Sequence, residues 1–289
     1  MTTAATTAFC AHKLEGGDGR YLWIDGNGKV TAGNGTLANP SPNAFSLVQI
    51  ADCPFATSIC AKSCYVHNLE KHAPDTHALY QHNSSTIRNI LNNVPIAIDD
   101  SPTQWLTGDS PTQWARRLGT WIAKNCQGGF RWHVSGDVFS LRYAQWIAQV
   151  CQASPNVQHW IYTRSFSYVG PLMAAENLTI NLSCDAENYQ QAMTLYNNCR
   201  ELQSEPFGGT VSNVRLCYLQ SDPGFAPNLP PDSVIFPDYH LRGETDQGRA
   251  WFHKRLTPAQ KKMVCPVDYH GKSERRRCGP CDKCIKTPA

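Results

Sequence analysis

The sequence predicts an α/β fold, an open partial (β/α)6 barrel, and three features predict it. Short apolar runs alternate with stretches of helical character, the pattern of a parallel sheet covered by helices. About six such β/α steps follow the first 43 residues, fewer than the eight that close a barrel. The 289 residues are 41% apolar and include eight Trp, eleven Tyr and ten Phe, enough for one sizeable core and too much for a disordered chain.

Three regions follow from composition. Residues 1–43, rich in Thr, Gly, Asn and Pro, read as an N-terminal extension. Within it Tyr21 to Asp25, the turn Gly26-Asn27-Gly28 and Lys29 to Thr31 predict a β-hairpin. Residues 44–250 carry the β/α steps. Strands are expected at Phe45 to Ile50, Phe130 to Ser135, His159 to Thr163, Leu178 to Leu182, Val214 to Leu219 and Val234 to Phe236. Helices are expected at Thr76 to Leu91, Trp114 to Cys126, Leu141 to Cys151, Val169 to Glu176 and Glu187 to Leu202. A pentapeptide, Ser101 to Trp105, recurs as Ser110 to Trp114 and reads as a duplicated helix start, Ser as N-cap and Pro at the first helical position. Residues 251–289 form a basic, cysteine-rich segment. From Lys254 onward, ten Lys/Arg face three Asp/Glu, whereas the rest of the chain is net acidic, so the overall charge of +3 belongs to the C-terminal end.

No run of 18 apolar residues occurs, which excludes a membrane-spanning helix. Met1 to Cys10 lacks the basic and apolar regions of a secretory signal, so a cytoplasmic location is expected. Thirteen cysteines without an export signal point away from disulfides and toward thiolate metal ligands in a reducing compartment.

Seven of those cysteines form two groups. Cys53, Cys60 and Cys64 make a C-x6-C-x3-C loop directly after the first expected strand. Structural zinc favours four ligands in tight knuckles. Three thiolates on a wide spacing suit an iron–sulfur cluster, whose irons each take their own ligand, and would leave one iron of a 4Fe-4S cluster open. Cys265, Cys278, Cys281 and Cys284 make C-x12-C-x2-C-x2-C, enough to close a second centre with iron–sulfur or, alternatively, zinc. Arg275-Arg276-Arg277 and Lys283 would offset the negative charge of either, or provide an electrostatic footprint for nucleic acid. Of the remaining cysteines, Cys126, Cys151, Cys199 and Cys217 read as core, while Cys184 stands with Asp185 at a strand's carboxyl end, where α/β folds place their sites. His67, His72, His77 and His82, five residues apart, scatter around a helix and cannot form one metal face. His133, beside the turn Gly136-Asp137, reads equally as a structural or a site residue. Asp238, Tyr239 and His240 follow the last strand and fall on the same rim.

A three-cysteine loop after the first strand of a six-step β/α chain resembles the radical S-adenosylmethionine (SAM) superfamily. Cys53-Pro54, Cys60, Cys64-Tyr65, His133-Val134-Ser135-Gly136-Asp137 and Cys265-Pro266 with Cys278, Cys281 and Cys284 together resemble the phage-encoded iron–sulfur proteins of the gene product 88 type. The resemblance implies that Cys53, Cys60 and Cys64 ligate three irons, that the fourth chelates SAM, and that a reduced cluster cleaves the sulfonium to a 5′-deoxyadenosyl radical. It implies a reductant protein as partner and the host cytoplasm as location. Gly136-Asp137 lies where such enzymes carry a Gly-Gly-Glu turn for the SAM amino group, with Asp185 a further cofactor-binding candidate and Asp137 and His133 the catalytic ones. If SAM has been lost, His133, Asp137 or Asp185 could occupy the open iron. Two other readings stand beside this one: a non-catalytic iron–sulfur protein for electron transfer or redox sensing, and a zinc-stabilised nucleic-acid-binding protein.

Overall fold

A computed structural model of the chain describes residues 11–26, 41–64, 66–93, 96–97, 105–106, 109–204, 213–221, 227–238, 246–265 and 284. Strands β1 (His12–Glu15) and β2 (Tyr21–Ile24) pair antiparallel, Leu14 opposite Leu22. Tyr21 to Ile24 thus pairs with the strand before it; Lys29 to Thr31, the expected partner, lies outside the described residues. Gly19 at φ +81° supplies the turn, and Asp18 closes it by accepting from the Arg20 amide and guanidinium. Leu14, Leu22 and Ile24 enter the same apolar core as the rest of the chain.

Strand β3 (Ala44–Phe45) is followed by helices α1 (Ser58–Lys62), α2 (Val66–His72) and α3 (Pro74–Leu91), then by a two-residue pair, β4 (Ile96–Ala97) with β5 (Trp105–Leu106). Helix α4 (Pro111–Asn125) starts as its sequence dictates: Ser110 and Gln113 form a reciprocal capping box, with Pro111 in the first turn. In the first copy of that pentapeptide Trp105 begins β5, and residues 101–104 lie outside the described residues. Then come β6 (Phe130–Trp132), α5 (Leu141–Gln152), β7 (His159–Thr163), the short α6 (Val169–Leu172), β8 (Leu178–Cys184), α7 (Tyr189–Ser204), β9 (Asn213–Gln220), β10 (Val234–Pro237), α8 (Asp246–Arg255) and α9 (Pro258–Met263).

Six strands form one parallel sheet in the order β3-β6-β7-β8-β9-β10. The order follows the chain without reversal. Because crossovers between parallel strands are right-handed, an unreversed order lays every connecting helix on the same face. The burial pattern agrees. Phe45, Trp132, Ile161, Ile180, Leu216 and Ile235 join residues of α3, α4, α5 and α7 in the main core, while Ala44, Trp160, Tyr162, Cys217 and Val234 fall in separate small clusters on the other face.

The sheet is open, with β3 and β10 as its edges, and it curls about the face opposite those helices. Tyr162 of β7 and Phe236 of β10 meet edge to face at 5.7 Å, although two strands separate them. Three strand spacings amount to ~14 Å in a flat sheet, so their rings converge only if the sheet is strongly concave there.

Two strands are shorter than the sequence suggests. β3 stops at Phe45 because the chain then turns along the rim, where the Leu47 amide donates to the Ser135 carbonyl at 2.9 Å. β6 stops at Trp132 because His133 adopts a left-handed φ of +60°.

Candidate functional site

Every strand of the main sheet delivers its carboxyl end to one rim, and the segment between β3 and α2 lies across that rim as a strap. At its start Asp52 is pinned to α3 by Ser84 and Arg88, and its carbonyl accepts from the Asp137 amide at 2.8 Å. Glu70 of α2 accepts from the Gln49 amide at 3.0 Å. Midway, Thr57 is the N-cap of α1; its hydroxyl accepts from the Cys60 amide at 3.1 Å and donates to Asp185, just past β8. Glu187 accepts from the amides of Ser58 and Ile59 at the same helix start. At its end Ser63 donates to Asp238, just past β10. The strap thus runs from one edge of the sheet to the other. Ile50, a β-branched residue at φ +63°, holds strained backbone three residues before Cys53, and its carbonyl accepts from the Cys53 amide.

Cys53, Cys60 and Cys64 are half-buried on this strap, and each feels the others or the rim charges. Burial pushes the Cys53 thiol up to about 12, with Asp137, Cys60 and Cys64 adding to the rise. Burial also raises Cys60, opposed by the positive charge of the Arg164 guanidinium. Cys64 is raised by burial, with Cys60 and Glu70 contributing.

Arg164 and Asp185 form the rim's central ion pair, Nη1 to Oδ2 at 2.8 Å, with side chains only 6% and 0% exposed. Sequence reasoning placed Asp185 but missed Arg164, Thr57, Asp52 and Glu70. An Arg directly after an apolar strand was the available signal for the first; the others owe their places to contacts far apart in sequence.

The remaining expected residues occupy defined places. Asp137 is buried, and burial raises its pKa; its Oδ1 accepts from Thr163 at 2.6 Å and from the Val138 amide at 2.6 Å, its Oδ2 from the Arg164 amide at 2.8 Å. These four groups anchor the turn at Gly136, which needs φ +82° and whose backbone lies so close to Leu47 that a Cβ would stand 2.6 Å from that side chain. His133 turns toward the helix layer, its Nε2 2.8 Å from the Tyr143 hydroxyl and its buried Nδ1 without a partner. Desolvation lowers its pKa to about 3, so it is neutral.

At the C-terminal group, Cys265 runs alongside β10, its amide donating to the Ile235 carbonyl at 2.9 Å. Cys284 lies beneath the concave face with Cys265 and Cys217, and its carbonyl accepts from Asn181 at 3.3 Å. Cys217, assigned to packing from sequence, thus shares a neighbourhood with two of the expected ligands. Cys278, Cys281, Arg275 to Arg277, Lys283, Tyr65, Tyr239 and His240 lie outside the described residues. Among the described residues, no three His, Cys, Asp or Glu side chains close to single-ion geometry, and no helix is long and apolar enough to cross a membrane.

Fold and rim together define an open, singly wound parallel α/β protein with a thiol-bearing strap over its carboxyl ends. The chain belongs to the Gene product 88 family, whose model matches residues 21–287. It is 28% identical over 178 residues to the Gene 88 protein of Mycobacterium phage L5 and 29% identical over 178 residues to that of Mycobacterium phage D29, covering 61% of this chain and 67% of each relative. No solved structure matches.

Proposed function

We propose that the chain is a phage iron–sulfur protein, built on a partial (β/α)6 barrel of the radical SAM type, that holds a 4Fe-4S cluster on Cys53, Cys60 and Cys64. One observation carries the reading: three half-buried thiols sit on one strap over the carboxyl rim of a singly wound sheet. Ligand sites of α/β folds lie at that end of the strands. The donor set fits the group. The three cysteines lie on one strap, and a cluster takes one thiolate per iron.

A bound, reduced cluster of this kind supplies an electron to SAM, with a reductant protein as its source. The chain's own residues prepare the place. Arg164 offsets thiolate charge at Cys60. Asp137, with both oxygens engaged, fixes the Gly136 turn. Thr57 and Asp185 hold the α1 start against β8. In this reading Cys265, Cys278, Cys281 and Cys284 hold a second centre, iron–sulfur or zinc, and the protein works in the host cytoplasm.

Protein purified without air should contain iron and acid-labile sulfide, and replacing Cys53, Cys60 and Cys64 together by Ala should remove about four irons per chain, one cubane's content. Iron-free protein, or iron content unmoved by that triple substitution, would overturn the assignment. Incubation of the reduced protein with SAM then divides the alternatives: release of 5′-deoxyadenosine marks an enzyme, and its absence favours electron transfer or redox sensing.

A further inference from the structure

We infer that Arg164 is a positioning residue that sets the electron affinity of the centre held by Cys53, Cys60 and Cys64, with Asp185 opposing it; the inference rests on the iron–sulfur reading above. Three observations carry it. First, the guanidinium is buried and immobilised: Asp185 Oδ2 accepts at 2.8 Å and Asn188 Oδ1 at 3.4 Å, while the Arg164 backbone amide is held by Asp137 at 2.8 Å. Second, its positive charge acts on the Cys60 thiol, opposing the rise that burial imposes. Third, the partner carboxylate is tied to the same cysteine by another route, because Asp185 accepts from Thr57, and Thr57 accepts from the Cys60 amide. One buried ion pair is therefore tied, through Thr57, to the backbone of a single ligand.

A structural ion pair alone would not need this aim. Burying two charges is costly and is offset only when both are well hydrogen-bonded, so pairs kept in such places often serve a site. A buried positive charge beside a cluster ligand favours the reduced, more negative state; local charge is among the levers that set cluster potentials. Removing the cation should lower the potential. Removing the anion behind it should raise it.

The test is the midpoint potential, followed by electron paramagnetic resonance, of the reconstituted full chain and two variants. Arg164→Gln should retain iron and sulfide and become about tenfold harder to reduce, a downward shift of ~59 mV for one electron. Asp185→Asn, which leaves the guanidinium in place, should shift the potential upward. Opposite signs support the inference. If Arg164→Gln does not fold, the upward shift in Asp185→Asn decides alone. Unchanged potentials in loaded variants, or shifts of the same sign, overturn the inference while leaving the cluster reading standing. A wild-type chain that takes up no cluster overturns both.

Discussion

Three buried residues have ionisation behaviour that sets how stability varies with pH. Asp25, at the end of β2, is packed against the hydroxyls of Ser46 and Tyr80, and burial raises its pKa to about 7. His133 and His159 are both lowered to about 3 by burial. A histidine depressed in the folded state loses stability as pH falls below its unfolded value near 6.5, because only the unfolded chain takes up the proton. The raised aspartate acts in the other direction: between about 4 and 7 the unfolded chain ionises and the folded one resists, so stability falls as pH rises. Two histidines outweigh Asp25 on the acid side, although Asp137, also raised by burial, narrows their margin. Above ~6.5 the histidines no longer act, which places the optimum contributed by these groups near pH 6.5. Urea midpoints measured from pH 4 to 8 should show that optimum. Asp25→Asn should flatten the decline above it, and His159→Gln should reduce the acid slope by up to about 1.4 kcal/mol per pH unit. A slope unchanged in both variants would show that these groups do not titrate as buried.

Between elements, α4 packs closely against the end of α5, and Gly119 permits it. A Cβ there would stand 2.5 Å from the Ala153 Cβ and 2.8 Å from the Val150 carbonyl oxygen. Gly119→Ala improves helix propensity by up to about 1 kcal/mol, yet overpacking of this kind costs about 1–3 kcal/mol. The net effect expected in denaturant unfolding is destabilisation; a stabilised variant would show that the two helices can part freely. At this scale much was legible. Ser110 with Gln113 marked the start of α4, and the apolar blocks at 159–163, 178–182, 214–219 and 234–236 marked β7 to β10 to within two residues. Both sides of Tyr21 offer a glycine-rich turn; the structure pairs Tyr21–Ile24 with the strand before it, and Lys29 to Thr31 lies outside the described residues. The partner was chosen by burial: β1 brings Leu14 into the core. Likewise Phe45 to Ile50 reads as a strand in sequence, but its later residues spend their backbone groups on the rim turn.

Over the whole molecule, curvature brings distant pieces together. It lets Tyr162 reach Phe236, and it lets the strap from β3 be tied to Asp185 and Asp238 at the opposite half of the rim. Edge-to-face aromatic pairs contribute about 0.5–1.5 kcal/mol beyond their burial. A double-mutant cycle on Tyr162 and Phe236 should therefore return a coupling of about 1 kcal/mol. A coupling of zero would mean the sheet is flat in solution.

The sequence by itself determined the class of fold, the six-strand count and the two groups of cysteines, because periodicity, turn chemistry and ligand spacing are local properties of a chain. Tertiary structure decided which of the marked residues meet. Arg164 and Cys60 are 104 positions apart, Thr57 and Asp185 128, and no local pattern links them. Only the right-handed, unreversed winding of the strands delivers their carboxyl ends to one rim, where burial makes a guanidinium, a carboxylate and three thiols answer to one another's charge.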